Sequence, residues 1–214
     1  EFRRVLFRSL GEWEKNRFQI FRSLTLLRQL SLHPGLVDPE TMEAGSTKVD
    51  FLIEQLDQLV AEDHSALVFS QFTGFLAILR DRLDAAGIEY SYLDGSVDAR
   101  GRAQAIDDFS SGRTKVFLIS LKAGGFGLNL TAADYCFLCD PWWSPAAEAQ
   151  AVDRAHRIGQ QRPVNVYRLV SENTIEEKVI ALQERKRALF AAVIDDGDMF
   201  GTAITASDIR ELLR

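Results

Sequence analysis

The chain has 214 residues, 46% hydrophobic and 26% charged, with 14 Gly and 5 Pro, the composition of a soluble globular protein. That length fits one domain with a sizeable core, or one domain plus an appended helix. Its 25 Lys plus Arg against 31 Asp plus Glu leave a net charge of −6, which excludes a globally basic nucleic-acid binder and confines any such contact to a local patch. Apolar runs such as 66–69 and 135–139 are strand-sized, far short of the ~20 residues of a membrane helix, so no membrane role is expected. Two closely spaced Cys with no leader before them point to a reducing, intracellular compartment.

The first stretch, EFRRVLFRS, fits neither helical nor strand periodicity, and Glu-Phe is what a common cloning-site hexamer encodes. Residues 1–9 are read as an adapter scar, with a native basic helix start on Arg3, Arg4 and Arg8 as the alternative. Phe18, Phe21, Leu24, Leu27 and Leu30 recur at helical spacing from Arg17 to Leu32, and His33-Pro34-Gly35 ends the run. The segment 34–46 is expected to be a boundary loop. Thr47 then offers an N-cap to a second helix whose inner face is Val49, Leu52, Ile53, Leu56, Leu59 and Val60.

From there apolar runs at 66–69, 90–93, 116–119, 135–139 and 164–170 alternate with helical segments near 73–86, 99–110 and 145–157. Continuous apolar strands, each followed by a helix-length segment, predict an α/β fold with a parallel sheet covered on both faces. Thr174-Ile175-Glu176-Glu177 reads as a capping box that launches a long helix with Ile175, Val179, Leu182, Leu189 and Val193 on one side. The acidic cluster at 195–198 lacks calcium-loop spacing and reads as a helix-ending turn, before a short helix at 207–213.

Ligands of parallel α/β sheets sit at the carboxyl ends of the strands, so the loops there carry the candidate chemistry. Lys122-Ala123-Gly124-Gly125-Phe126-Gly127-Leu128-Asn129 follows one strand, and its glycines let backbone N–H groups approach a phosphate or a neighbouring chain; a tight turn is the plainer alternative. No dinucleotide fingerprint and no Gly-Lys-Ser/Thr phosphate loop occurs in the chain. On the helix near 145–157, Gln150, Arg154 and Arg157 fall at i, i+4 and i+7 and stack into one polar stripe suited to an anion, although an Asp153–Arg157 surface pair fits the spacing equally. His156 points off that stripe and is assigned a structural hydrogen bond. Asp140-Pro141-Trp142-Trp143-Ser144-Pro145 makes a rigid aromatic loop, either a packing wedge or a surface coupled to a partner or nucleic acid. Cys136 and Cys139 lie three apart on one strand, so they face opposite sides of the sheet and are expected to be buried structural thiols.

Taken together, LLRQLSLHPGLV, STKVDFL, LVFSQF, LDGSVDARGRAQAIDDF, SLKAGGFGLNLTAAD, DPWWSPAAEAQAVDRAHRIGQ and TIEEKVIALQERKRAL resemble the C-terminal RecA-like lobe of the Swi/Snf family, superfamily-two helicase-like ATPases that translocate on double-stranded DNA. The resemblance covers about residues 17–195 and is most specific in the DPWW to RIGQ block. It implies a RecA-like parallel sheet sandwiched by helices, with a helical segment at 10–43, the lobe at 44–172, and a brace helix and tail at 173–214. It implies that Arg154 and Arg157 are arginine fingers on ATP phosphates, with Gln150 opening the same motif. Gly125, Gly127 and Asn129 match the motif joining the nucleotide cleft to the DNA track. Ser70, Gln71, Arg102, Ser120 and Lys122 are implied DNA contacts, and Trp142 and Trp143 a coupling surface.

The family binds ATP with magnesium mainly through an N-terminal RecA-like lobe, whose phosphate-loop lysine and acidic motif do not occur here. The expected partners are therefore that lobe and double-stranded DNA, and this chain alone is expected to be silent as an ATPase. Leu121 stands where Thr is frequent and cannot donate a hydroxyl; Ser144 stands where Asn is common. The end after the brace resembles bacterial members, which implies the cytoplasm and nucleoid; the nucleus is implied for a eukaryotic source. The alternatives are a lobe of an RNA helicase, a noncatalytic DNA- or protein-binding module, and a nucleotide-sugar transferase, for which no acidic sugar contacts are found.

Overall fold

The computed structural model describes residues 13–121, 130–143, 148–149 and 163–193. In chain order the elements are α1 (Trp13–Leu32), two 3₁₀ turns (Pro34–Leu36 and Pro39–Ala44), α2 (Thr47–Ala61), β1 (Ala66–Ser70), α3 (Thr73–Ala86), β2 (Tyr90–Leu93), α4 (Ala99–Ser110), β3 (Val116–Ser120), β4 (Tyr135–Leu138), β5 (Asn165–Arg168) and α5 (Ile175–Val193). The five strands form one sheet in the order β2-β3-β1-β4-β5. Every pairing is parallel, with Ser70 level with Ser120 and Phe69 level with Leu138, so β1, β3 and β4 end together. This is the expected α/β fold.

β1 and β3 are buried along their whole length. On one face Ala66, Val68, Val116, Leu118 and Phe137 pack under α2 and α3; on the other Leu67, Phe69, Phe117, Ile119 and Leu138 pack with Phe109 of α4. Such two-sided burial explains why these strands read as unbroken apolar runs. Leu52 and Leu56 of α2 are fully buried, each contributing about 2 kcal/mol of hydrophobic stabilisation. α3 ends at Gly87 (φ 69°), whose left-handed conformation lets its N–H close the last turn on Asp84 and Leu83 carbonyls.

Several expectations need correction. Phe18 and Leu30 are exposed, because the buried stripe of α1 runs through Ile20, Leu24 and Arg28 instead. Segment 34–46 is two ordered 3₁₀ turns rather than an open loop, capped by His33 and Asp38 side chains. Ser46, not Thr47, caps α2: its Oγ accepts from Val49 N and donates to Leu32 O, tying the end of α1 to the start of α2. β5 is exposed at every position, since it lies at the edge of the sheet with β4 as its neighbour. At the start of α5, Thr174 Oγ1 accepts from Glu176 N, while Glu177 accepts from Asn173 N rather than from the cap residue. Cys136 and Cys139 form no disulfide and are buried on opposite faces, as expected. No helix among the described residues is long and apolar enough to cross a membrane.

α1 and α5 dock on each other beside the lobe through Ile20, Leu24, Ile175, Val179 and Leu182, with Trp143 packed against that cluster. The N-terminal and C-terminal flanking helices thus meet at the end of the sheet where β1, β3 and β4 terminate.

Candidate functional site

Parallel strands ending together bring Ser70-Gln71 of β1, Ser120-Leu121 of β3 and the Asp140–Trp143 turn after β4 into one place. Leu121 N donates to Ser70 O at 2.9 Å and Cys139 N to Phe69 O at 2.9 Å, which fixes the three exits relative to each other. At their centre stands Asp140, 1% exposed. Ser70 Oγ donates to its Oδ1 at 2.5 Å, Gln71 N donates to the same oxygen at 3.2 Å, and Gln71 Nε2 donates to Oδ2. Burial pushes the Asp140 carboxyl up from its usual range, and Arg28, then Ser70 and Gln71, pull it back.

Arg28 reaches this cluster from α1. Its Nη1 donates to Gln71 Oε1 at 3.0 Å, its Nη2 donates to Pro141 O at 2.6 Å, and Nη2 lies 3.5 Å from Asp140 Oδ2. The guanidinium also sits over the Trp143 ring at 4.8 Å and the Phe72 ring at 5.4 Å. Burial lowers the Arg28 pKa and Asp140 opposes that shift, so the cation is held where desolvation alone would expel it.

A second cluster continues the seam. Glu148, 1% exposed, accepts from Trp142 N at 2.7 Å, from Gln183 Nε2 at 2.7 Å and from Arg168 Nε at 3.0 Å. Gln183 also donates to Trp142 O. A third joins α2 to α5: Lys48 Nζ donates to Glu176 Oε2 at 2.6 Å and to the carbonyls of Cys139 and Leu169 at 3.0 and 3.1 Å. Two buried cations, Arg28 and Lys48, and the exposed Arg168 face three buried carboxylates between the sheet and the two flanking helices.

The structure therefore unites Ser70, Gln71, Ser120, Trp142 and Trp143 at one end of the sheet. Ser70 and Ser120 are buried, 0% and 2% exposed, so neither hydroxyl is at the surface in this conformation. Trp142 and Trp143 are half-buried and act as a wedge, Trp143 against α1 and α5 and Trp142 through its backbone. Arg102 lies in the first turn of α4, half-buried, with its N–H on Asp98 O. Lys122, Gly125, Gly127, Asn129, Gln150, Arg154, His156 and Arg157 lie outside the described residues. Among the described residues no group of His, Cys, Asp and Glu is placed to hold a metal ion.

Sequence reasoning gave no role to Arg28, Asp140, Glu148 or Gln183. For Arg28 a signal exists: it stands four and eight residues after Leu24 and Ile20, on the same helical stripe.

A five-stranded parallel sheet of this order, flanked by helices and with polar strand exits, is a RecA-like lobe of the helicase type. Residues 47–159 match the helicase conserved C-terminal domain. The match covers over half of the chain, and the protein belongs to that family, on the Swi2/Snf2 branch. ATP-dependent helicase rhp16 of Schizosaccharomyces pombe is 44% identical over 170 residues, spanning 78% of this chain and 20% of that protein. DNA repair protein RAD5 of Cryptococcus neoformans is 44% identical over 156 residues, spanning 71% of this chain and 13% of that protein. Among solved structures, the Sulfolobus solfataricus SWI2/SNF2 ATPase core in complex with dsDNA aligns with a TM-score of 0.74 at 30% identity, over 99% of this chain and 45% of that one. The chain thus spans about a fifth or less of these two curated relatives. Both are eukaryotic, as is DNA repair protein RAD5A of Arabidopsis thaliana, and they give no support to a bacterial source or a nucleoid location.

Proposed function

We propose that this chain is the C-terminal half of the motor of an ATP-driven double-stranded-DNA translocase, with the lobe at 44–172 flanked by a helical segment at 10–43 and a brace at 173–214. The observation that carries the reading is the Asp140 cluster, which bonds the end of β1 at Ser70-Gln71 to the turn that leads toward Gln150, Arg154 and Arg157. The groups assigned to DNA in this reading, Ser70 and Gln71, bond this one buried carboxylate, and the chain runs on from Asp140 to the segment that carries the nucleotide groups.

In that reading the substrate is ATP with magnesium, held mainly by an N-terminal RecA-like lobe. Arg154 and Arg157 would act on its phosphates as cations, and Gln150, Gly125, Gly127 and Asn129 would belong to the same nucleotide site. An arginine so placed can supply ~10³ to 10⁵ in rate by stabilising transferred-phosphoryl charge. Ser70, Gln71, Arg102, Ser120 and Lys122 form part of the DNA track, with Ser70 and Ser120 acting through backbone placement. Trp142 and Trp143 carry movement between the two. The relatives that are DNA repair proteins make the nucleus the location proposed here.

The test is ATP turnover by the complete parent chain with and without double-stranded DNA, beside this chain alone. DNA-stimulated turnover by the parent, silence of this chain, and loss of turnover in Arg157→Ala are expected. A parent that turns over no ATP with any DNA would instead mark a lobe retained for binding.

A further inference from the structure

We propose that Arg28, which lies in the helix preceding the lobe, is a positioning residue that holds Gln71 and the Asp140–Trp143 turn in one register, so that DNA engagement is transmitted to nucleotide turnover. The inference rests on the function proposed above.

Arg28 stands outside the 47–159 helicase match, yet it touches both strand exits that the reading requires. Its two terminal nitrogens divide the work: Nη1 takes the Gln71 amide oxygen, and Nη2 takes the Pro141 carbonyl beside Asp140. The Gln71 amide is thereby used at both ends, its oxygen on Arg28 and its nitrogen on Asp140. Gln71 cannot turn without breaking one bond to each charged partner. The Phe72 and Trp143 rings set the guanidinium plane, and Trp143 in turn packs on α1 and α5.

A displacement of Gln71 would therefore pull on Asp140, on the Pro141 carbonyl and on Trp143 together. The reverse displacement would run from the aromatic turn to Gln71. A lysine in the same place would keep a charge, but it cannot donate to two acceptors in a fixed plane or stack between two rings. Charge is preserved and register is lost in that single change, which separates positioning from simple neutralisation of Asp140.

The experiment compares wild type, Arg28→Lys and the exposed-pair control Arg82→Lys in the full parent chain, reading Tm and ATP turnover with and without double-stranded DNA. Misplacing reacting groups by about 1 Å can cost ~10²-fold, so Arg28→Lys is expected to lower the ratio of stimulated to basal turnover by about tenfold or more. Tm is expected to fall below that of Arg82→Lys, because buried acceptors lose a donor, while basal turnover falls by less than stimulated turnover does. An unchanged ratio overturns the inference. So does an equal fall in basal and stimulated turnover that follows the Tm, since that is the behaviour of a packing anchor. A wild-type parent that DNA does not stimulate sinks the proposed function and this inference together. Should Arg28→Lys fail to fold, Phe72→Leu removes one face of the sandwich and leaves the ion pair; the same loss of ratio is expected, and its absence overturns the inference.

Discussion

Glu176 is 0% exposed and pairs with Lys48 at 2.6 Å. Burial raises its carboxyl above the usual range, and Lys48 is the largest influence bringing it back. Lys48→Met leaves that carboxylate buried without its cation, and breaking such a pair costs about 3 kcal/mol. The loss should depend on pH in a defined direction. Without Lys48 the folded-state pKa of Glu176 rises further while the unfolded value stays ordinary. The stability deficit is then small where the carboxyl is protonated in both states, and grows as pH rises from the ordinary unfolded value to the raised folded one. Urea unfolding at about pH 5 and about pH 8 should show the larger deficit at the higher pH; an equal deficit at both would assign the effect to lost packing. The same residues show where sequence reading stops. A lysine in the first turn of a helix and a glutamate in a capping box both read as solvated, and only the meeting of α2 with α5 buries them. Arg28 differs, because its place on the stripe with Ile20 and Leu24 is written in the spacing, although a charge there argues against burial until Asp140 is seen opposite.

At the scale of elements, local signals and tertiary context divide the outcome. α3 and α4 fall where the helical segments between apolar runs were expected, at 73–86 and 99–110. β1 and β3 were readable because central parallel strands are apolar on both faces. β5 lies in the expected apolar run at 164–170 yet is exposed, and its Asn165 and Arg168 already mark it apart from β1 and β3; its Tyr167 stacks on Phe137 and Tyr135. The α1 face was misjudged because Phe18 and Leu30 fit the helical period as well as the true stripe, and only the position of α5 chooses between them. Ser46 is a joint between elements, with Leu32 O at 2.6 Å and Val49 N at 3.4 Å. Ser46→Ala is expected to cost about 1 kcal/mol, a cap's usual worth, read as a lower Tm. A change below a few tenths of that figure would mean that water replaces the hydroxyl at both ends.

On the scale of the whole molecule, the expected division at 44 and 173 does not coincide with a structural gap. α1 and α5 share a core with Trp143, and the Arg28, Glu148 and Lys48 clusters all span the lobe and its flanks. Such a set of clusters couples the flanks to the sheet in one cooperative unit. The candidate site divides the same way: of the residues named from motif resemblance, Ser70, Gln71, Ser120, Trp142 and Trp143 fall at the strand exits, whereas Arg28 and Gln183, which bond to those exits, come from distant sequence. The two buried thiols put a clock inside this arrangement. Cys136 of β4 and Cys139 just after it face opposite sides of the sheet, β4 pairs with β1 and β5, and burial raises the Cys139 pKa well above its usual value. Neither sulfur can reach reagent while the sheet stays shut, so their labelling should proceed together and at the rate of global opening. A thiol-exchange time course in which one sulfur reacts well before the other would reveal that one layer of helices peels away while its opposite stays in place.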